Sequence, residues 1–308
     1  MDTNDYMLGC RVKDAPKHQN VNLIRHVSFD ELKRFHIATN QLSDYRNYCV
    51  LYEMCDKNYS SIILYLLSMK DEFPKHRHRL HEYSEESLQE IDRLLLNYLS
   101  SFRTFLDHLE TRYKRLQKQD SSFLDDYKKM VSACYDSSFP YRFFYKLRDY
   151  VQHCGMPPTS INIIESPGLD GSIDTIISVR FDRDGLINGY KRWRKIRDEL
   201  QRQPPYMEFP PYIKALRLEI QRIHVAMSGI ELSLASDSWQ YLYKLVREVQ
   251  DKYGAVMPFI GRKLTQDGGE LQLKMEDFPL HIMAKFQADY KKIQDFQEQQ
   301  KTKKQITE

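Results

Sequence analysis

Residues 88–109, LQEIDRLLLNYLSSFRTFLDHL, decide the fold class because they carry the strongest periodic pattern in the chain. Large apolar side chains recur here at alternating spacings of three and four residues, the heptad seam of a helix that packs along a partner helix. The seam consists of Leu88, Ile91, Leu95, Tyr98, Phe102, Phe105 and Leu109. Ser87 and Glu90 have capping-box spacing. We therefore predict one long helix from about residue 87 to about residue 118.

The segment before this seam also favours helices. Ser28 and Glu31 have capping-box spacing, so a helical region should begin near residue 28 and extend to about Phe73. Residues 1 to about 28 show little periodicity and predict an extended or loop-rich lead. The run PKHRHR at 74–79 predicts a basic loop, either solvated or in contact with a polyanion.

The segment after the seam alternates helices with two β-hairpins. Ser138-Phe139-Pro140 predicts a helix start and Gly155 its end, because proline suits the first turn and glycine the C-terminus. The expected strands lie at 161–164, 176–181, 256–264 and 271–275. Further helices are expected at about 184–203, at about 211–254 and at the C-terminus.

The composition fits a folded, mainly helical protein. Of 308 residues, 41% are apolar and 29% are charged, which excludes a chain that is disordered throughout. The 11 glycines are too few for an all-β fold rich in tight turns. We predict a mainly α protein, a helical bundle with long antiparallel helices plus two small β-hairpin elements. Its regions are an N-terminal helical region at 1–83, a helical core at 84–158, and a hairpin insert with C-terminal helices at 159–308, which can join the core in one compact domain.

Charge and cysteine content limit the possible surroundings. The longest apolar run, at 62–67, is far below the roughly 18 residues that span a bilayer, and the polar N-terminus lacks a signal-peptide pattern. Five cysteines without a C-x-x-C pair indicate reduced thiols in the cytoplasm, not a zinc site. A net charge of +3 means that a nucleic-acid partner would have to bind a local basic patch.

The segment KLRDYVQH at 146–153 is the most suggestive chemically. A helix turns by about 100° per residue, so Leu147 and Tyr150 fall on an apolar arc that also includes Cys154, which should be a buried thiol. The opposite arc, here called the polar arc, is expected to face solvent. It consists of Tyr145, Arg148, Asp149, Gln152 and His153.

This set of side chains suits the cleavage of an RNA phosphodiester bond. Histidine transfers protons near neutral pH, and arginine presents a fixed positive fork to phosphate oxygens. Neither role requires a metal or a cofactor. One helix supplies a single histidine, so two copies facing each other across a homodimer would supply both the acid and the base.

Arg148-Asp149-x-x-x-His153 resembles the R-x-x-x-x-H motif of the HEPN superfamily, and the resemblance covers residues 84–158. It implies a HEPN-like helical bundle and a metal-independent endoribonuclease that acts as a homodimer and leaves a 2′,3′-cyclic phosphate. Arg148 and His153 would be catalytic, and Asp149 would orient them. The family also implies a toxin or an effector of antiviral, anti-phage defence, with an antitoxin or another regulatory partner.

Two alternatives remain open from the sequence. A second match to the spacing, Arg103 to His108, lies in the long helix, although no acidic residue follows its arginine. The chain could instead be a non-catalytic helical interaction protein or a nucleotide-sensing protein that uses the same core to dimerise, with Arg148 and His153 on a solvated helix face.

A basic stretch at 189–197 is a candidate for RNA contact, because its cations suit a phosphate backbone and its tryptophan could stack on a base. The predicted RNA-binding residues are Lys191, Arg192, Trp193, Arg194, Lys195 and Arg197, together with Gln152 and Tyr145. The alternative is an amphipathic helix that buries Trp193, Ile196 and Leu200 and leaves the cations solvated.

Overall fold

Eight α-helices and seven β-strands make up the part of the chain that the computed structural model describes, namely residues 5–12, 21–118, 120–167, 173–254, 256–264 and 272–307. The helices are α1 (Phe29–His76), α2 (Leu80–Leu116), α3 (Ser122–Ser137), α4 (Phe139–Cys154), α5 (Arg183–Gly189), α6 (Ile196–Gln201), α7 (Phe209–Tyr253) and α8 (Leu280–Thr307). The strands are β1 (Tyr6–Val12), β2 (Val21–His26), β3 (Thr159–Pro167), β4 (Ile173–Asp182), β5 (Tyr206–Glu208), β6 (Val256–Leu264) and β7 (Gln272–Asp277). The mainly α prediction is confirmed. None of the described helices combines the length and the apolar character that crossing a bilayer requires.

The chain divides into two units. The terminal unit contains Met1–Asn47 and Ser228–Glu308, and the central unit contains Tyr48–Met227. Helices α1 and α7 each contribute residues to both units. This division differs from the boundaries expected near residues 83 and 158, because the two ends of the chain share a sheet and the hairpin insert belongs with the helical core.

The terminal unit contains an antiparallel sheet in the order β2-β1-β6-β7. The predicted hairpin of β6 and β7 is confirmed, although its turn lies outside the described residues. Of the two forms expected for the N-terminal lead, extended or loop-rich, the described residues adopt the extended one, since they form strands β1 and β2. Strand β1 includes Gly9, which lies opposite Phe259, and a Cβ at this glycine would come within 2.6 Å of the phenyl ring. A side chain there would collide with this ring and, at 2.9 Å, with the backbone carbonyl of Asn22 on β2.

The capping box at the start of α1 is confirmed. The backbone N–H of Glu31 donates to the Ser28 hydroxyl at 3.2 Å, and the N–H of Ser28 donates back to the Glu31 carboxylate at 3.0 Å. Backbone donors at this helix start are thus satisfied locally. Further along α1, Phe35 packs edge-on against Phe278 with ring centroids 4.9 Å apart, which joins the helix to the terminal core.

In the central unit, α1 and α2 form the predicted long antiparallel pair. The Asn58 amide donates to the Asn97 carbonyl, and the Tyr83 hydroxyl donates to the Met69 carbonyl at 3.1 Å. Most of the heptad seam is buried, as expected: Ile91, Leu95, Tyr98, Phe102, Phe105 and Leu109. The second capping box is wrong, however, because α2 already begins at Leu80 and Ser87 lies buried inside the helix.

The expected basic loop at 74–79 is also wrong. Helix α1 continues through Pro74 to His76, and a single 3-10 turn leads into α2. Carboxylates neutralise its arginines, since Arg77 pairs with Glu165 at 2.5 Å and Arg79 pairs with Glu86 at 3.1 Å. Pro74 therefore does not end the helix, and the arginines of the basic run form intramolecular ion pairs.

The other predicted hairpin, β3 and β4, is confirmed, with Ile161 opposite Val179, and β5 adds a third strand to it. Helix α4 packs on this sheet, where Phe143 meets Phe181 with ring centroids 5.7 Å apart. Helix α3 packs against α2, since the Tyr127 hydroxyl donates to the Leu106 carbonyl at 2.8 Å. The sheet and α2–α3 together fix the position of α4, which carries the R-x-x-x-x-H motif.

Candidate nucleic-acid interface

The two ends of α4 are set by local chemistry, as predicted. The Ser138 hydroxyl accepts a hydrogen bond from the backbone N–H of Tyr141 at 3.3 Å, and Pro140 occupies the first turn. Gly155 ends the helix with a φ of 106°, a conformation that glycine adopts without strain. The helix therefore places residues 148–153 in its last two turns.

Three side chains of the polar arc are tied together on the surface of α4. Arg148 donates to the Gln152 side-chain carbonyl, and its guanidinium lies 4.0 Å from the Asp149 carboxylate. Lys146 pairs with the same carboxylate at 3.0 Å. Because Arg148 and Asp149 are each about 30% exposed, at 32% and 31%, they remain accessible to a ligand at the surface.

His153 lies exposed in the last turn of α4 and makes no hydrogen bond or ion pair within the described part of the chain. This position suits a proton-transfer group, because solvent or a ligand can reach both ring nitrogens. Cys154 is exposed as well, so the expectation of a buried thiol is wrong. The sheet and the α5–α6 region pack against the apolar arc only as far as Tyr150. The last turn of α4, which includes Cys154, is therefore exposed.

The prediction that the whole polar arc faces solvent is wrong for its first residue, Tyr145, which is half-buried. Helices α2 and α3 cover this side of α4, where Tyr141, one turn earlier, is fully buried. The Tyr135 ring lies edge-on to Tyr145 at 6.3 Å, and the Arg103 guanidinium lies over the Tyr145 ring at 4.5 Å. Tyr145 therefore connects helices, and only the later turns of α4 are open.

The second R-x-x-x-x-H match separates into two unrelated roles. Burial disfavours the charged form of Arg103, but hydrogen bonding to Tyr145 and the nearby Asp107 carboxylate outweigh this effect, so the pKa of Arg103 is raised. Asp107 pairs with Arg103 at 3.0 Å, and His108 is exposed on α2. Arg103 is thus engaged in packing against α4, whereas Arg148 lies beside the open last turn.

Trp193 is not available for base stacking, so its predicted role as a stacking residue is wrong. Its side chain is completely buried, and its indole N–H donates to the Leu186 carbonyl at 2.8 Å. The ring is stacked on Phe143 at 5.9 Å and on Tyr150 at 6.0 Å, both on α4. The helices expected over 184–203 are α5 and α6, separated by a 3-10 turn at 191–193 where the chain bends to insert this indole.

The burial of Trp193 attaches a cationic segment, residues 190–197, directly to α4. Tyr190 lies edge-on to Tyr150 at 5.8 Å, and Gly189 lies so close that a Cβ there would be 2.8 Å from the Tyr150 hydroxyl. Five basic residues of this segment are exposed, and none forms an ion pair within the described part of the chain: Lys191, Arg192, Arg194, Lys195 and Arg197. The predicted cations are therefore solvated and are anchored beside the helix that carries Arg148 and His153.

Two further findings bear on the site. Among the described residues, no group of three or more His, Cys, Asp and Glu side chains is placed to hold a metal ion. Comparison with protein-family models, with curated proteins and with solved structures gives no match. Fold and site together define a mainly α-helical protein with a cationic surface on the motif-bearing helix α4.

Proposed function

We propose that the protein is a metal-independent endoribonuclease of the HEPN type that acts as a homodimer. One observation carries the proposal: Trp193 anchors five exposed cations to α4, whose last turns expose Arg148 and His153. A surface that combines exposed cations with an exposed histidine suits a phosphodiester substrate.

Each side chain has a separate task in this proposal. The cationic segment binds the RNA backbone electrostatically, and Arg148 directs its guanidinium to the scissile phosphate. His153 takes the proton from the attacking 2′-hydroxyl or returns one to the leaving 5′-oxygen. The 2′-oxygen forms a bond to phosphorus as the bond from phosphorus to the 5′-oxygen breaks, which leaves a 2′,3′-cyclic phosphate and a 5′-hydroxyl. Asp149, held by Lys146, fixes the charge beside Arg148.

The homodimer follows from the number of histidines. The last turn of α4 offers one imidazole, and the two proton transfers of this reaction use two. A second copy of α4 placed across a two-fold axis would supply the other. An RNase of this type would be toxic unless it is restrained, so the proposal extends to a toxin or a defence effector with a regulatory partner.

The test is cleavage of total RNA by the purified protein in the presence of EDTA. We expect new fragments that end in 2′,3′-cyclic phosphate. Such ends resist phosphatase and become open to ligation only after acid has opened the ring and phosphatase has then removed the monophosphate. His153→Ala should lower the rate by about 10²-fold or more, the usual contribution of a general acid or base. Arg148→Ala should abolish cleavage and relieve toxicity on expression.

His108→Ala is the matched control, since it removes an exposed histidine at the same spacing from an arginine. Cleavage should persist in this variant. Full activity of His153→Ala in EDTA, with His108→Ala inactive, would transfer the assignment to the other match. RNA that stays intact with the wild-type protein would exclude the nuclease.

One observation favours a second candidate, a non-catalytic helical interaction protein. Leu64 and Leu67 on α1 are 67% and 64% exposed, which is unusual for two leucines one turn apart. A stable dimer in light scattering together with intact RNA would support this candidate over the nuclease.

A further inference from the structure

Four aromatic rings form a nearly parallel series in the terminal unit, on α7 and α8. Trp239 stacks on Tyr243 with centroids 4.8 Å apart and planes inclined by 10°. On its other side Trp239 meets Phe286 at 5.8 Å and 20°, and Phe286 meets Tyr290 at 6.2 Å and 13°. The indole N–H of Trp239 donates to the Met283 carbonyl at 3.0 Å, which holds the central ring in place.

The same short pattern carries these rings on both helices. Residues 239–244 read WQYLYK and residues 286–291 read FQADYK, each an aromatic residue, a glutamine, two other residues, a tyrosine and a lysine. Tyr243 and Tyr290 are 40% and 43% exposed at the two ends of the series. Four polar residues of this repeated pattern are exposed: Gln240, Gln287, Lys244 and Lys291.

A cavity of about 100 Å³ opens between the two helices. Its lining is Ser236, Trp239, Gln240, Phe286, Gln287 and Tyr290. Because a single water needs only about 10–15 Å³ of such space, the cavity has room for a much larger group. Its walls are aromatic faces, and its rim carries a hydroxyl and two amides that make no hydrogen bond within the described part of the chain.

We propose that this cavity between α7 and α8 is a binding site for a nucleobase. A planar heteroaromatic ring would extend the parallel series by stacking on Tyr290, the exposed terminal ring that lines the cavity. The amides of Gln240 and Gln287 each offer a donor and an acceptor to the polar edge of the base. Lys244 and Lys291 follow the lining residues Gln240 and Gln287 by one helical turn, so they lie on the same helix faces and offer positive charge to a phosphate. The site is independent of the proposed nuclease centre, which uses other residues.

A proline-rich peptide is the main competing occupant, because such peptides also bind aromatic surfaces. Near-parallel rings favour a planar ligand over the ridged surface of a polyproline helix. Paired amides beside stacked rings also suit the hydrogen-bonding edge of a base, whereas they offer nothing to proline side chains. The peptide is therefore included in the test as a result that would count against the proposal.

Tryptophan fluorescence gives a specific readout, since the chain has two tryptophans and Trp193 is buried in the central unit. In a Trp193→Phe variant, checked for folding by circular dichroism, the emission comes from Trp239. The probes are AMP and a single-stranded deoxyadenylate ten-mer, which lacks the 2′-hydroxyl that the proposed nuclease needs. We expect saturable quenching, and Tyr290→Ala should weaken binding about five-fold or more.

Comparison of the two probes identifies the source of the base. Quenching by both indicates a free nucleotide site, and quenching by the ten-mer alone indicates a strand. Tyr206→Ala, which removes an exposed tyrosine of the central unit, should leave affinity unchanged. Four results would each overturn the proposal. Inorganic polyphosphate could quench as strongly as the nucleotides, or a proline-rich peptide could quench. Tyr290→Ala could leave binding unaffected, or neither AMP nor the ten-mer could quench at millimolar concentration.

Discussion

Asp92 shows how a single residue can make the stability of this protein depend on pH. It lies on α2 with its side chain half-buried, and its Oδ1 atom has no hydrogen-bond partner among the described residues. Burial raises the pKa of this carboxyl to about 6, because the charged form loses solvent without gaining a partner. The residue thus opposes folding whenever it is ionised.

Asp92→Asn should therefore stabilise the protein at pH 7 and have little effect near pH 4. An aspartate in an unfolded chain has a pKa of about 3.9, below the folded value, so unfolding releases a proton between these two pKa values. The free energy of unfolding of the wild type accordingly falls as the pH rises through this window. The variant lacks this loss and should be more stable at pH 7 by about 1 kcal/mol, a magnitude reduced by solvent screening.

Urea denaturation at several pH values measures this difference. Asp198→Asn is the matched control, since it makes the same substitution at an exposed aspartate on α6. A stability difference for Asp92→Asn that stays constant from pH 4 to pH 7 would contradict the assignment.

At the scale of elements, the cationic segment contains a strained backbone position. Arg194 has a φ of 52° and a ψ of −131°, a conformation that glycine adopts readily and arginine does not. Arg194→Gly should relieve this strain and raise the free energy of unfolding by about 1 kcal/mol. It should also weaken RNA binding, because it removes one of the five exposed cations of the segment.

Arg192→Gly provides the comparison. Its φ of −96° is ordinary for arginine, so glycine there should lower stability by roughly 0.5–1 kcal/mol while removing the same charge. Urea denaturation measures the effect of each substitution on stability. RNA affinity at two salt concentrations measures the effect of the lost charge. If both variants lose stability, the backbone at Arg194 is not strained.

The ends of helices were predictable from the sequence where capping residues within a single turn determine them. The box of Ser28 and Glu31 and the glycine after α4 were correct for this reason. Ser87 and Glu90 have the same spacing but lie inside a helix that begins seven residues earlier, at Leu80. Residue spacing alone cannot distinguish these cases, because it does not show whether the preceding turn is already helical.

The candidate site was predictable in its residues but less so in its arrangement. Helical periodicity correctly placed Leu147 in the core and His153 on the face away from it, whereas Arg148 is only partly exposed. It could not show that Arg103 covers Tyr145, because that contact depends on how α2 and α4 pack. The burial of Trp193 was the alternative that the apolar spacing of its segment had left open.

At the scale of the whole molecule, pairing between distant segments limited what the sequence could show. Strand β1 pairs with β6, where Tyr6 lies opposite Arg262, and no local signal at the N-terminus indicates a partner so far along the chain. The same pairing puts both ends of the chain in the terminal unit. Boundaries drawn along the sequence therefore missed a unit that is assembled from two separate segments.

The two units should nevertheless unfold together. Helices α1 and α7 each run without interruption from one unit into the other, at residues 47–48 and 227–228, so melting one unit exposes helix ends in the other.

Each unit contains one tryptophan, Trp193 in the central unit and Trp239 in the terminal unit. The variants Trp193→Phe and Trp239→Phe therefore each report on one unit. We expect urea transitions by tryptophan fluorescence to coincide, in each variant, with the loss of helix measured by circular dichroism. Two separate midpoints in the same variant would show instead that the helices break at the boundary and that the units fold independently.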